Sequence, residues 1–206
     1  MKRYILGMLC LLLGQESLAL NCCHQKPCTQ NSSWWKRGWA VTVFGGPLTS
    51  QTSSRIISGA DFEGSWILAA AVSKELGRVY KDLLGFELEF LGAQHFGKQD
   101  HFELDPIAFI IRWRGFPWNN VLPTTLAIGD GISIATSKPK LEVKRRGKSE
   151  SAQTLNYVMA EATFSMPSLP QWALVFRYHH RSGMFGVFHG VHDASTAFAG
   201  GIKYWF

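Results

Sequence analysis

Eight runs of about ten residues alternate between apolar and polar side chains, and this period-two pattern limits the fold more than any other feature of the chain. The runs cover roughly 38–46, 64–75, 82–95, 102–114, 123–136, 152–165, 170–181 and 194–206. Turn-forming residues separate them, as is typical of short antiparallel strands. The pattern therefore predicts an all-β fold, an eight-stranded antiparallel β-barrel.

The two faces of these runs differ in polarity. The third run places Glu87 and Glu89 opposite an apolar face, and the fourth does the same with Arg112. Glu161 and Arg177 occupy the matching face of the sixth and seventh runs. We expect Glu87 to meet Arg112, and Glu161 to meet Arg177, as diagonal cross-strand neighbours in an interior ion network rather than as a catalytic pair. Aromatic side chains facing lipid around an ionised interior are typical of transmembrane barrels of the outer-membrane type.

The N-terminus has the parts of a secretory signal peptide. Lys2 and Arg3 precede an apolar stretch over 4–14, which is too short to span a bilayer as a helix, and small residues precede a cleavage site after Ala19. The alternative is a buried N-terminal helix. We expect a cleaved signal peptide over 1–19, an irregular lead-in over 20–37 and a barrel domain over 38–206.

Three cysteines follow the predicted cleavage site. Export permits a disulfide between Cys28 and either Cys22 or Cys23, and the sequence leaves open whether one forms. A lipoprotein would need a small residue before Cys22, where Asn21 stands. The net charge of +6 favours anionic partners such as phosphorylated lipids.

The chain ends in Gly201-Ile202-Lys203-Tyr204-Trp205-Phe206, which resembles the C-terminal signal of outer-membrane barrels. The alternative is an ordinary edge strand ending in phenylalanine. With both barrel termini on the periplasmic side, the outer loops fall at about 46–63, 96–101, 137–151 and 182–193. The loop over 137–151 is rich in lysine and arginine, so it is either a solvated loop or an attractor for phosphates of lipopolysaccharide.

A possible catalytic pair stands at the outer end of the seventh run. His180 and Ser182 are two residues apart, so on a strand their side chains share one face, the predicted lipid face. A general base beside a hydroxyl is the minimum for nucleophilic attack on an ester. Asp193 is the nearest acid that can orient the imidazole, and backbone N–H groups of 183–186 can hold an oxyanion. The alternative is a solvated polar loop.

An exported eight-stranded barrel with His-x-Ser at the end of its penultimate strand resembles the outer-membrane lipid A 3-O-deacylase family. The resemblance implies that Ser182 is the nucleophile, that His180 is the base and that Asp193 takes the place of the catalytic acid. It also implies an ester hydrolase acting on lipid A, with lipopolysaccharide and outer-membrane lipids as partners. Two positions depart from the family: Gly183 stands where asparagine is common, and Asp193 stands near where a glutamate is typical.

The sequence also permits functions other than ester hydrolysis. Four histidines, His179, His180, His189 and His192, suggest a metal site, but adjacent strand residues point to opposite faces. We therefore expect no metal. We also expect no cofactor, and no nucleic-acid partner because the barrel is predicted to be exported. The main alternative to an esterase is a non-catalytic barrel with a structural or binding role. A narrow channel is the third candidate, although side chains usually fill the interior of an eight-stranded barrel.

Overall fold

The computed structural model describes residues 38–49, 61–146, 151–184, 186–191 and 194–206. The predicted signal peptide, the lead-in, the three cysteines near it, Asp193 and His192 lie outside these ranges and stay predictions. Among the described residues, no helix is long and apolar enough to cross a membrane.

Eight antiparallel strands close into a barrel in chain order. They are β1 (Trp39–Thr49), β2 (Ser65–Val79), β3 (Leu84–Gly97), β4 (His101–Trp113), β5 (Thr124–Ala135), β6 (Thr154–Met166), β7 (Leu169–Ser182) and β8 (Thr196–Trp205). A short helix, α1 (Lys140–Arg146), lies between β5 and β6. β1 pairs with β8, so the sheet has no free edge. All eight predicted runs are strands, and their predicted ends agree with the structure to within four residues.

The polarity of the wall is that of a membrane barrel, as predicted. Outward positions carry exposed aromatic and aliphatic side chains on every strand, among them Trp66, Phe90, Phe109, Ile128, Phe176 and Ile202. Inward positions carry buried charges next to alanine, and the small side chains leave room for long ones. A soluble barrel would show the opposite arrangement.

Both predicted ion pairs form inside the barrel. Arg112 Nε donates to Glu87 Oε1 at 2.6 Å, and the two residues are diagonal neighbours because Glu87 lies opposite Ile110. Arg177 Nε donates to Glu161 Oε2 at 2.9 Å. These two residues lie directly opposite each other, so the prediction of a diagonal contact was wrong for this pair.

The two pairs belong to one network. Glu161 Oε1 also accepts hydrogen bonds from Arg112 at 2.8 Å and from Lys203 at 2.7 Å. Arg177 reaches across the lumen from β7 to Glu89 on β3, at 2.7 Å. Every one of these charges is buried beside an opposite charge, which is the condition under which ionised groups tolerate burial. The packed side chains of this network fill the interior of the barrel.

The β5–β6 connection is anchored in the barrel mouth through α1. Glu142 on this helix is buried, and its Oε1 accepts from Arg181 at 2.9 Å and from the hydroxyl of Ser195 at 2.9 Å. Lys138 and Lys140 are exposed beside it. The predicted solvated loop is therefore partly helical, with its acid turned inward and these lysines turned outward.

Candidate active site

The outward face of β7 changes from apolar to polar along the strand. Trp172, Leu174 and Phe176 are exposed to lipid, whereas His180 and Ser182 continue the same face at the outer end of the strand. Their Cα atoms are two positions apart, which is about 6.6 Å along a strand. His179, between Tyr178 and His180 in sequence, points into the barrel. The strand therefore places the predicted base and nucleophile on one face and separates them from the neighbouring histidine.

His180 is held by the next strand. Its Nδ1 lies 2.8 Å from the hydroxyl of Thr196, which is its direct partner in the β7–β8 register. The ring also packs against Tyr178, with centroids 5.6 Å apart, and the side chain is buried. If Nδ1 donates to Thr196, the lone pair lies on Nε2, the tautomer in which Nε2 can take a proton.

Ser182 is the last residue of β7, and the residue is partly exposed. Its Oγ accepts a hydrogen bond from the N–H of Met184 at 3.2 Å. The next residue, Gly183, packs so closely on the carbonyl of Val191 that a Cβ at this position would collide with it. This contact explains why no side chain follows the serine, the first of the two departures from the deacylase pattern.

The glycine-rich segment after Ser182 does not match the predicted oxyanion site at all its positions. The N–H of Gly186 donates to the carbonyls of Gly183 at 3.2 Å and Val191 at 3.0 Å. The N–H of Met184 donates to Ser182 itself. Two of the N–H groups expected to hold an oxyanion are therefore already engaged in the turn. Asp193, the predicted acid, lies outside the described residues.

Two polar residues that sequence reasoning did not assign lie beside the pair. Asn156 faces Ser182 directly across β6 and β7, and its Nδ2 donates to Oδ2 of Asp130 on β5 at 2.7 Å. Asp130 is exposed on the lipid face between Ile128 and Ile132. A carboxylate there is unfavourable in hydrocarbon, so a polar residue at a lipid-facing strand position was the signal in the sequence.

These residues form one polar area, which we name the outer-wall patch: Asp130, Asn156, His180, Ser182 and Thr196. An apolar groove of about 540 Å³ begins at its membrane side, where Tyr178 borders both. The outward side chains that line the groove are Leu126, Ile128, Ala160, Ala162, Phe176, Tyr178 and Phe198. Small residues form its middle and larger ones its edges. The shape and polarity suit a hydrocarbon chain that ends in a polar ester.

No protein-family model and no curated protein matches this chain. The outer-membrane enzyme PagL is similar in structure, with a TM-score of 0.53 and 9% identity over 81% of this chain and 99% of that one. This protein has the fold of an outer-membrane β-barrel. Neisserial surface protein A has a TM-score of 0.47 and 14% identity, and the likeness covers 82% of this chain and 97% of that one. At 9% identity the likeness to PagL shows the fold alone.

Proposed function

We propose that this barrel is an esterase that removes an ester-linked acyl chain from lipid A in the outer leaflet. One observation carries the proposal: a histidine and a serine share the lipid-facing wall at the end of an apolar groove. A buried histidine and an acid on that wall are unfavourable unless a substrate approaches from the membrane. The groove lies where an acyl chain of a membrane lipid would reach.

The proposed chemistry uses Ser182 as the nucleophile and His180 as the base. Ser182 Oγ attacks the ester carbonyl while His180 takes the hydroxyl proton. The tetrahedral intermediate collapses, the C–O bond to the sugar breaks, and His180 returns the proton to the leaving sugar oxygen. Water, deprotonated by His180, then cleaves the acyl–serine ester and releases the fatty acid. Thr196 holds the imidazole in place, and Asp193 is proposed as the acid that stabilises its charged form.

Two features favour lipid A over other esters. The pair stands at the outer end of β7, where the sugar–acyl linkages of an outer-leaflet lipid lie. Lys138 and Lys140 are exposed on the same side of the barrel and provide positive charge for phosphates. The resemblance of the His-x-Ser segment to the lipid A deacylase family supports the same substrate.

A channel or a purely structural barrel would leave the polar residues of the outer wall unexplained. A channel needs an open lumen, but Arg112, Arg177 and Lys203 are fully buried within this one. A purely structural barrel has no use for Asp130 and Asn156 at lipid-facing positions. The outer-wall patch therefore favours the enzyme over both.

The test is mass spectrometry of lipid A from cells that express the protein. We expect the wild type to yield lipid A lighter by one acyl chain, and Ser182→Ala to yield unmodified lipid A. His189→Asn is the matched control, because His189 is exposed in the same loop and asparagine tolerates its positive φ of 53°. Unchanged lipid A with folded wild-type protein in the membrane would favour the non-catalytic barrel.

A further inference from the structure

A second group of reactive side chains lies inside the barrel, on the face of the wall opposite to the outer-wall patch. We name it the inner cluster: His95 on β3, His101, Glu103 and Asp105 on β4, and His179 on β7. All five side chains are buried. The cluster joins β4 and β7, which lie on different sides of the lumen in the strand order.

Glu103 is the centre of this cluster. One carboxylate oxygen lies 2.8 Å from Nε2 of His95, and the other lies 3.0 Å from Nε2 of His179. Ser133 donates to the second oxygen at 2.8 Å, and Gln99 Nε2 lies 3.0 Å from Nδ1 of His95. Such a chain of hydrogen bonds fixes the orientation of a carboxylate, as in protein metal sites, where ligating carboxylates are themselves hydrogen-bonded.

Several polar atoms of the cluster have no partner among the described residues. Both carboxylate oxygens of Asp105 are buried without a hydrogen bond, and Asp105 is 0% exposed. Nε2 of His101 and Nδ1 of His179 are also buried and unpartnered. A buried polar group without a partner is unfavourable, and this number of them in one place calls for a ligand.

The charges also lack balance. The ligand atoms of Glu103, Asp105 and His179 all lie within 4.8 Å of one another, so two carboxylates are close together. Apart from the imidazoles of His95 and His179, the nearest cationic group recorded is Arg181, whose Nε lies 4.0 Å from Glu103. Arg181 is already engaged by Glu142 at 2.9 Å. Two carboxylates in a low-dielectric interior repel each other unless a cation or a proton lies between them.

We propose that the inner cluster binds one divalent transition-metal ion of the zinc type, with Glu103, Asp105 and His179 as ligands. Zinc holds its oxygen and nitrogen ligands at about 2.0–2.2 Å, so these atoms need to converge by roughly 1 Å, which side-chain rotation provides. A mixed set of imidazole and carboxylate selects zinc or a similar ion over calcium and magnesium, which prefer oxygen ligands. The ion would satisfy Asp105 and balance both carboxylates.

Such an ion would connect β4 to β7 across the lumen. β7 carries His180 and Ser182 on its other face, so the metal would stiffen the wall that presents the outer-wall patch. The ion itself faces inward and takes no part in the proposed ester chemistry. Metal binding and deacylation can therefore be measured separately.

The experiment uses the full chain, purified from outer membranes in detergent, stripped with a chelator and dialysed against zinc chloride. Elemental analysis should give about one zinc per folded chain, and zinc should raise the melting temperature followed by circular dichroism. Asp105→Asn and His179→Gln should lose the zinc. Asp130→Asn, a carboxylate on the outer wall, should retain it as the matched control.

Cobalt provides a measurement that does not depend on variants. Replacing zinc with Co²⁺ in the wild type should produce the visible d–d absorption of a four- or five-coordinate nitrogen–oxygen site. Folded wild-type protein that takes up no zinc and shows no cobalt absorption would overturn the proposal. Undiminished zinc binding in folded Asp105→Asn would overturn the ligand set.

Discussion

Nδ1 of His180 lies 2.8 Å from the hydroxyl of Thr196, its direct partner across the β7–β8 ladder. Strand pairing therefore orients the proposed base, without the help of a mobile loop. In esterases of the serine–histidine type, a group at this position holds the ring and selects its tautomer. Threonine does so with a hydroxyl.

Removing this hydroxyl should slow the reaction without abolishing it. We expect Thr196→Val to lower the rate of lipid A deacylation by about two- to tenfold, the value of one hydrogen bond. Thr196→Ser should retain the rate, because the hydroxyl stays. Equal activity of the valine and serine variants would remove Thr196 from the positioning of His180.

The base itself should be indispensable. His180→Ala should lower the rate of fatty-acid release by about six orders of magnitude, because nucleophile and base act as a unit. Added imidazole should restore part of this rate if the missing group is a proton acceptor. Asp193→Ala should lower the rate less, since water can partly replace an orienting acid. Full activity of folded His180→Ala would contradict the mechanism.

Replacing Asp130, the lipid-facing acid, should raise the stability of the barrel and lower its activity. Asp130→Leu removes a carboxylate from the hydrocarbon face, so it should stabilise the barrel by about 1 kcal/mol in urea unfolding in lipid vesicles. The same change removes the partner of Asn156, which faces Ser182, and should reduce deacylation. A stabilised variant with unchanged activity would show that Asp130 lies outside the site.

The groove should set which acyl chains are accepted. Ala162 lies on its floor, so Ala162→Leu should fill part of it and lower the rate on long-chain esters. Short-chain esters should be hydrolysed as before, because the outer-wall patch is unchanged. The measurement is kcat/KM for a series of soluble esters of increasing chain length. An equal effect on all lengths would argue against acyl binding in the groove.

The interior network should matter for stability. Glu161 contacts Arg112, Arg177 and Lys203, so Glu161→Gln leaves three buried cations with less compensation. We expect a loss of about 3–5 kcal/mol in the free energy of unfolding. Glu87→Gln should cost less, since Glu87 meets Arg112 and the more exposed Arg114. A larger loss for Glu87→Gln would reverse this ranking of the two acids.

Much of the fold could be predicted because strand period and side-chain polarity are local. Alternation around Glu87 and Arg112 predicted that these residues share a face and meet across a hairpin, and the N-terminal export signal and the C-terminal segment favoured an inward orientation for that face. Prediction failed where it depended on register: Glu161 and Arg177 are opposite and not diagonal, since one step of register changes every cross-strand neighbour. The helix of the β5–β6 connection was also missed, because tertiary contacts of Glu142 hold it.

The sequence by itself determined the strands, the separation of each strand into a charged and an apolar face, and the shared face of His180 and Ser182, since each follows from a two-residue repeat along one strand. Only the tertiary structure decided which residues meet across strands. Thr196 beside His180, Asn156 beside Ser182 and Asp105 beside His179 are far apart in the chain or separated by several strands. The reason is that closure and register of the barrel bring these side chains together, and no local pattern encodes them.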